Sequence, residues 1–424
     1  MTPIFRSRIK KALALLAQSG SPETLIISAN PAAIRSRDTH YPYRPNSDLF
    51  YLTGSSSEEI SLVLRPHSKE PVVIITPPID QLKNLWEGPP PPVKPLAKAL
   101  KAELLVTSEP LKAALNLIRG SATAYLQSIP GTLSAAVKSD LSTRGAHALR
   151  GFPPSLIEAE HLTAKLRLIK DRGEIAAIRE SASITASAIA NALPLIEPGV
   201  REREIAAFLD YFYHAHGAYP AFNSIVATGP SAATLHYHSL NRKLKKGDLL
   251  LIDTGAELNM YASDISRTIP VGGELSPQLK DLYEIVLRAQ LVAIKRVKPG
   301  VAIAEVHKAA AREIVYGLKY LGILKGPVPQ LLKKGAFKPF FPHGIGHSLG
   351  IDVHDATPAN ALKLQAGMVV TIEPGLYFQK PTGHLPVCGV RIEDDVLVTP
   401  RGNEVLTDQA ITKDLSTILS VVGG

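Results

Sequence analysis

Two stretches of this chain, GDLLLIDTG at 247–255 and GMVVTIEPG at 367–375, share one plan. In each, a glycine precedes five mostly apolar residues. A single carboxylate follows, Asp253 in the first and Glu373 in the second, and another glycine stands two residues on. A short apolar run bounded by glycines predicts a buried strand that ends in a turn. The same acid at the same offset predicts a weak internal repeat, two half-domains that each deliver an acid to one place.

An acid at the end of an apolar run needs a partner, because an unpaired buried carboxylate costs several kcal/mol or takes up a proton. Two further acids occupy the same kind of position. Asp264 lies in YASDISRTIPV, eleven residues after Asp253, and Glu393 lies in GVRIEDDVLV. The first spacing suits a β-hairpin that sets Asp253 beside Asp264, and a longer connection does the same for Glu373 and Glu393. A salt bridge would account for any one of them. Four together repel one another unless cations intervene. A pair of bound metal ions balances four carboxylates, and an oxygen-rich ligand set favours Mn²⁺ or a related hard ion. Such a pair suits metal-assisted hydrolysis.

The stretch HGIGHSLGIDVHD at 343–355 carries three histidines and two aspartates. His343 and His347 are four apart, as on a zinc-protease helix, but that helix needs H-E-x-x-H. Here Gly344, Gly346 and Gly350 stand inside or beside the motif, and each glycine costs a helix about 1 kcal/mol. The stretch reads better as an irregular strand whose glycines let another backbone approach closely. In a regular strand His343 and His347 share one face. GIGHSLG is also a poor dinucleotide fingerprint, with its third glycine one residue late and no helix after it.

The wider chain narrows the function classes. At 424 residues it is too long for one ordinary core. No apolar run reaches about 18 residues, so no transmembrane helix is expected. Residues 1–20 read as an amphipathic surface helix rather than a targeting segment. Cys388 is the only cysteine, which excludes a disulfide framework or a Cys-rich zinc site and suits a cytoplasmic protein. The net charge of +9 is spread over short scattered groups with no aromatic-basic alternation, so no nucleic-acid or membrane partner is expected.

The first third alternates apolar runs (TLIISAN, ISLVLRP, VVIITP, ELLVTS, TAYLQS) with helical patterns (PLAKALKAE, EPLKAALNLIRG), which predicts an α/β domain. Pro89 to Pro92 read as a surface loop beside Trp86. A long helix is expected from about Leu162 to Leu195 and a second from Glu202 to Ala215. The boundary expected between them and the first domain gives an amino-terminal α/β domain over 1–160 and a catalytic domain over 161–424.

In order and spacing, LLLIDTGAELNMYASDISRT, PHGIGHSLGIDVHD, GMVVTIEPGLY and GVRIEDDV resemble the metal-site blocks of the creatinase/prolidase/methionine-aminopeptidase superfamily. Within it the chain looks most like the Xaa-Pro aminopeptidase, or aminopeptidase P, group. TLHYH adds an upstream histidine block, YPYRPNSDLFYLTG at 41–54 is similar to the group's amino-terminal motif, and LRLIKDRGEIAAIR is similar to its interdomain helix. The resemblance implies a smaller creatinase-like α/β domain followed by a pita-bread catalytic domain. It implies two divalent metal ions. Asp264, His347, Glu373 and Glu393 would hold one, and Asp253, Asp264 and Glu393 the other. It further implies attack by a bridging hydroxide on the bond before proline, with Glu373 relaying the proton.

His236, His343 and His354 would then be catalytic or substrate-contacting groups, Arg391 would orient carboxylates, and Tyr219 and Tyr377 would line or brace the site. Peptides with proline at the second position are the implied substrates, and a homo-oligomer, dimer or tetramer, is implied, with Trp86 able to reach a neighbour's site. HDAT at 354–357 departs from the usual HDVG, and DTG from the commoner DAG, but neither change touches an implied ligand. Two other readings stand beside this one. One is a prolidase restricted to Xaa-Pro dipeptides. The other is a non-catalytic binding protein, whose usual mark, lost ligands, is missing here. Asp352, Asp355 and Cys388 are expected to be structural.

Overall fold

The computed structural model describes residues 2–144, 151–358, 363–407 and 411–422. The chain divides into two compact units, Met1–Arg167 and Leu168–Gly424.

The apolar runs of the first unit become a six-stranded sheet. Its spatial order is 103–106, 72–76, 61–64, 23–28, 123–126 and 155–158. Strand 61–64 runs antiparallel to both its neighbours, and the other pairings are parallel. Strands with no polar alternation must be covered on both faces. On one face Ile26, Val63, Ile75 and Leu126 pack with Ala114, Ile118, Val137 and Leu141 of the crossover helices. Trp86 lies on the short helix Gln81–Glu87, not on the proline-rich loop, and is 82% exposed.

In the second unit a helix pair precedes each set of strands. Arg172–Ala192 and Glu202–Ala215 lead into strands 225–228, 249–254 and 265–270. Pro277–Ile294 and Ile303–Tyr320 lead into strands 369–372, 375–378, 388–391 and 394–399. The repeat expected from the two nine-residue stretches therefore extends to the helices before them. One core joins helices and strands, with Ile189, Leu209, Val286 and Ile314 packed on Ile252, Ile269, Val370 and Val396. Cys388 is buried in that core.

The single helix expected over 162–195 is instead two, Glu160–Arg167 and Arg172–Ala192. Asp171 explains the break. Its side chain accepts the N–H groups of Gly173 and Glu174, while Glu174 accepts the Asp171 N–H, a capping box that starts a new helix. No described helix is long and apolar enough to cross a membrane.

Candidate metal centre and active site

Strand Leu249–Thr254 pairs antiparallel with Ile265–Pro270. The hairpin closes through Glu257↔Ala262 and Leu258↔Tyr261 on a two-residue turn, Asn259–Met260, with φ of 51° and 70°. Asp253 faces Ser266 across this ladder. Asp264 lies two residues before Ser266, so the two acids share one face as diagonal neighbours.

The second hairpin keeps one register throughout. Ile372 faces Asp394 and Gly375 faces Arg391, so Glu373 falls opposite Glu393. The hairpins are joined by Glu393 N–H donating to Ser266 O at 3.1 Å and Ser266 Oγ–H donating to Glu393 Oε2 at 2.8 Å. The Asp264 N–H donates to Asp395 Oδ2 at 3.2 Å. The four acids thus converge from two hairpins.

The segment 343–355 is not helical. It runs extended along strand Val369–Ile372, bonded by Thr371 N–H to His347 O, Glu373 N–H to Ile345 O and Leu349 N–H to Val369 O, with distances of 2.8–3.0 Å. Only Ser348 and Val370 form a formal bridge. Gly346 is required here, because a Cβ would lie 1.8 Å from Thr371 O. The Thr371 hydroxyl accepts the His347 N–H at 3.0 Å.

His347 is oriented by its Nδ1, 3.1 Å from Ser348 O. A proton on Nδ1 leaves the Nε2 lone pair facing the acids, 3.5 Å from Asp264 Oδ2 and 3.8 Å from Glu373 Oε1. Ligand atoms of Asp264, His347 and Glu393 lie within 4.8 Å of one another. Asp253 Oδ1, Asp264 Oδ1 and Glu393 Oε1 are buried with no hydrogen-bond partner among the described residues. Buried carboxylate oxygens are rarely left so. Unpartnered carboxylate oxygens beside an imidazole lone pair fit hard divalent cations.

The electrostatics agree. Burial, together with the charges of Glu393 and Asp253, raises the Asp264 carboxyl well above its ordinary pKa. Glu393 is raised in the same way by burial and by Glu373 and Asp253. Burial lifts Glu373 to about 7, although Arg391 opposes the shift. The two imidazoles move the other way. Burial lowers His347 to about 4 and, with the Arg391 charge, His343 to about 4, so both are neutral lone-pair donors near pH 7.

Arg391 spans the hairpins. Its Nη2 lies 2.5 Å from Asp253 Oδ2, Nη1 donates to Tyr377 OH at 2.8 Å and Nε donates to Ser266 Oγ at 2.9 Å. Tyr377 OH is 3.1 Å from His343 Nε2, and the His343 Nδ1 is 2.8 Å from Gly344 O. His354 packs its ring 4.2 Å from that of His347. Beside these two rings lies a cavity of about 280 Å³ with Leu168, Met368 and Val370 in its wall. His236 is different. It is exposed, on the segment after the turn 229–233, and no described contact brings it to the carboxylates. That segment is held by Tyr237, whose hydroxyl donates to the buried Glu202 at 2.9 Å. Tyr219 is also exposed, with its ring against His214.

Several residues that shape the site escaped the sequence reading. Ser266 and Thr371 are ordinary strand residues by composition, and only pairing reveals them. Asp394, next to Glu393, is buried and bonded by Arg267, Gln290, Thr407 and Lys413. Burial acts to raise its pKa, but Arg267 and Lys413 outweigh that and hold it well below the ordinary value. Arg267 also donates to Glu393 O at 2.6 Å, so this charged cluster holds the backbone that carries Glu393.

Comparison with known proteins bears on the whole chain. Residues 176–400 match metallopeptidase family M24, and residues 5–125 match the aminopeptidase P N-terminal domain. The Xaa-Pro aminopeptidase of Escherichia coli strain K12 is 35% identical over 420 residues, covering 96% of this chain and 95% of its own. That of Haemophilus influenzae is 34% identical over 415 residues, covering 95% and 94%. Among solved structures, proline aminopeptidase P II from Yersinia pestis superposes with a TM-score of 0.89 at 34% identity, covering 100% of this chain and 99% of its own. Aminopeptidase P from E. coli with the inhibitor Pro-Leu gives 0.89 at 33%, covering 98% of each. On a family match over residues 176–400 and a likeness that spans almost the whole of both chains, the chain belongs to metallopeptidase family M24.

Proposed function

We propose that this chain is a metal-dependent Xaa-Pro aminopeptidase, which hydrolyses the bond between an amino-terminal residue and a following proline. The observation that carries the reading is the set of buried, unpartnered carboxylate oxygens on Asp253, Asp264 and Glu393 beside the His347 lone pair. It is supported by likeness to Xaa-Pro aminopeptidases over almost the whole of both chains.

Two divalent ions are assigned, with Mn²⁺ the first choice on the oxygen-rich donor set. Asp264, His347, Glu373 and Glu393 would hold one, and Asp253, Asp264 and Glu393 the other. When bound, such ions polarise a carbonyl and lower the pKa of water. The remaining work falls to the chain. Glu373 carries its carboxylate into this cluster, 3.8 Å from His347 Nε2, where it can take and return a proton. It accepts the proton of the attacking water and delivers it to the leaving nitrogen. A peptide bond before proline has no N–H, so that nitrogen departs only if a proton is supplied. His354 stands on the substrate side, where an imidazole N–H can stabilise the developing oxyanion, and His343, its ring nitrogens engaged by Gly344 O and Tyr377 OH, borders the substrate beside it. Arg391 and Tyr377 fix Asp253 and His343, and His236 contributes from its exposed segment once a peptide is bound.

The cytoplasm suits a chain whose single cysteine is buried. Assembly as a dimer or tetramer is inferred from the exposed apolar side chains Leu82, Leu85 and Trp86, and sedimentation velocity tests it. The decisive experiment for the activity is a peptide panel with added Mn²⁺. Release of the first residue from Xaa-Pro-Yaa is the expected result. Cleavage confined to Xaa-Pro dipeptides would replace the reading with a prolidase.

A further inference from the structure

The segment carrying His347 and His354 is held from beneath by one cation. Lys170 and Asp355 form an ion pair at 2.9 Å, and each side chain is only 1% exposed. The Lys170 ammonium also lies 3.4 Å from Ser348 Oγ, to which it donates. Its two acceptors are therefore the residues that immediately follow His347 and His354. The lysine is anchored in turn. Its backbone N–H donates to Gly367 O at 2.8 Å, at the entrance to the strand that leads to Glu373.

Asp355 closes the same loop by a second route. Its N–H donates to Ser348 O at 2.9 Å, and its Oδ1 lies 3.4 Å from the Asp352 N that donates to it. Gly350 packs against the pair so tightly that a Cβ would lie 2.5 Å from Asp355 Oδ2 and 3.0 Å from Lys170 Cε.

A buried ion pair is weak evidence for stability. Desolvation offsets its attraction, and apolar side chains of similar size often serve as well. What this pair supplies is geometry. It ties two histidine-bearing positions and the strand leading to Glu373 to one residue, through the Lys170 ammonium and its backbone N–H, and metal sites depend on such supporting contacts.

We propose that Lys170 and Asp355 are positioning residues that set the placement of His347 and His354, and through it metal affinity and turnover. The inference rests on the metal centre assigned above. The test is the double variant K170M/D355L, which removes both charges and leaves no lone buried ion. Four quantities are measured: Tm, the Kd for Mn²⁺ by competition with a chromophoric chelator in the absence of substrate, and kcat and KM at saturating Mn²⁺.

The expected result is a Tm within a few degrees of wild type, Mn²⁺ binding weakened roughly 10- to 100-fold, and kcat lowered by a larger factor than KM is raised. The variant D355N, which keeps an acceptor for Lys170, should fall between. A folded double variant with wild-type affinity and kcat overturns the proposal. A double variant that does not fold assigns the pair to the fold alone and overturns it equally. If the wild-type protein binds no Mn²⁺ in this assay, the metal-centre reading fails first and the proposal falls with it.

Discussion

Arg391 Nη2 lies 2.5 Å from Asp253 Oδ2, with both side chains buried, and the two residues belong to different hairpins. The guanidinium also bonds Tyr377 and Ser266, so three of its nitrogens are committed. A lysine at this position keeps the charge but cannot span three acceptors in a plane. Arg391→Lys should weaken metal binding about 10- to 100-fold while the fold persists, as measured by metal titration beside circular dichroism. Unchanged affinity would show that Asp253 is placed without the arginine.

Asp264 is buried among the charges of the other acids. Burial comes first among the causes of its raised pKa, and Glu393 and Asp253 follow. Asp264→Asn should abolish peptidase activity and the binding of a second metal ion. It should also raise the stability of the metal-free protein, by about 1–3 kcal/mol, because one of four repelling charges is gone. Stability gained as function is lost marks a site built for ligands rather than for the fold. Urea melts in chelator measure the first quantity, and full activity in the variant would sink the dinuclear assignment.

The pH dependence of the metal-free protein has a definite sign. Glu373 is raised from 4.5 to about 7, and Asp264 and Glu393 shift in the same direction. Between these pH values the folded chain holds protons that the unfolded chain has released. The contribution of these groups to stability therefore falls as pH rises through the window. Metal ions displace those protons. The Tm gap between metal-loaded and stripped protein should widen as pH rises from 4.5 to about 7. A gap that stays constant across the window, in paired calorimetric scans, would contradict the shifts.

The hairpin turn offers a change that should touch stability alone. Asn259 and Met260 both have positive φ, the pattern of a type I′ turn, which strongly prefers glycine at the second position. Met260→Gly relieves about 1–2 kcal/mol of left-handed backbone cost but removes a buried side chain worth about 2–5 kcal/mol, so it should destabilise the protein modestly and leave kcat/KM unchanged. A gain in stability on urea melts would mean that the backbone cost outweighs the packing of the methionine.

The parts of this molecule that could be read from sequence are those whose cause is local. Periodicity predicted the helix 202–215 at its observed limits and five of the six strands of the amino-terminal sheet, all but 155–158. The acids stood out because each ends an apolar run, and the glycines of 343–350 ruled out a helix by their helix cost alone. What could not be read depends on distant partners. Asp394 looks like a neighbour of Glu393 until Arg267 and Lys413 arrive from elsewhere in the chain. The helix break at 168–171 was the exception. Its Asp-x-x-Glu cap is a local signal, but the apolar period continued across it and masked it.

Each hairpin brings two carboxylates to the centre, Asp253 with Asp264 and Glu373 with Glu393, and neither pair alone balances two divalent ions. The centre is therefore a property of the joined halves and of neither half by itself. A chain divided in the connection at 272–276, between the two halves, would yield fragments with incomplete sites. Recovered peptidase activity on mixing them would then count reassembled molecules directly. The same arithmetic bears on descent. If the repeat arose by duplication, a single ancestral half needed a second copy beside it before it could carry a paired metal site.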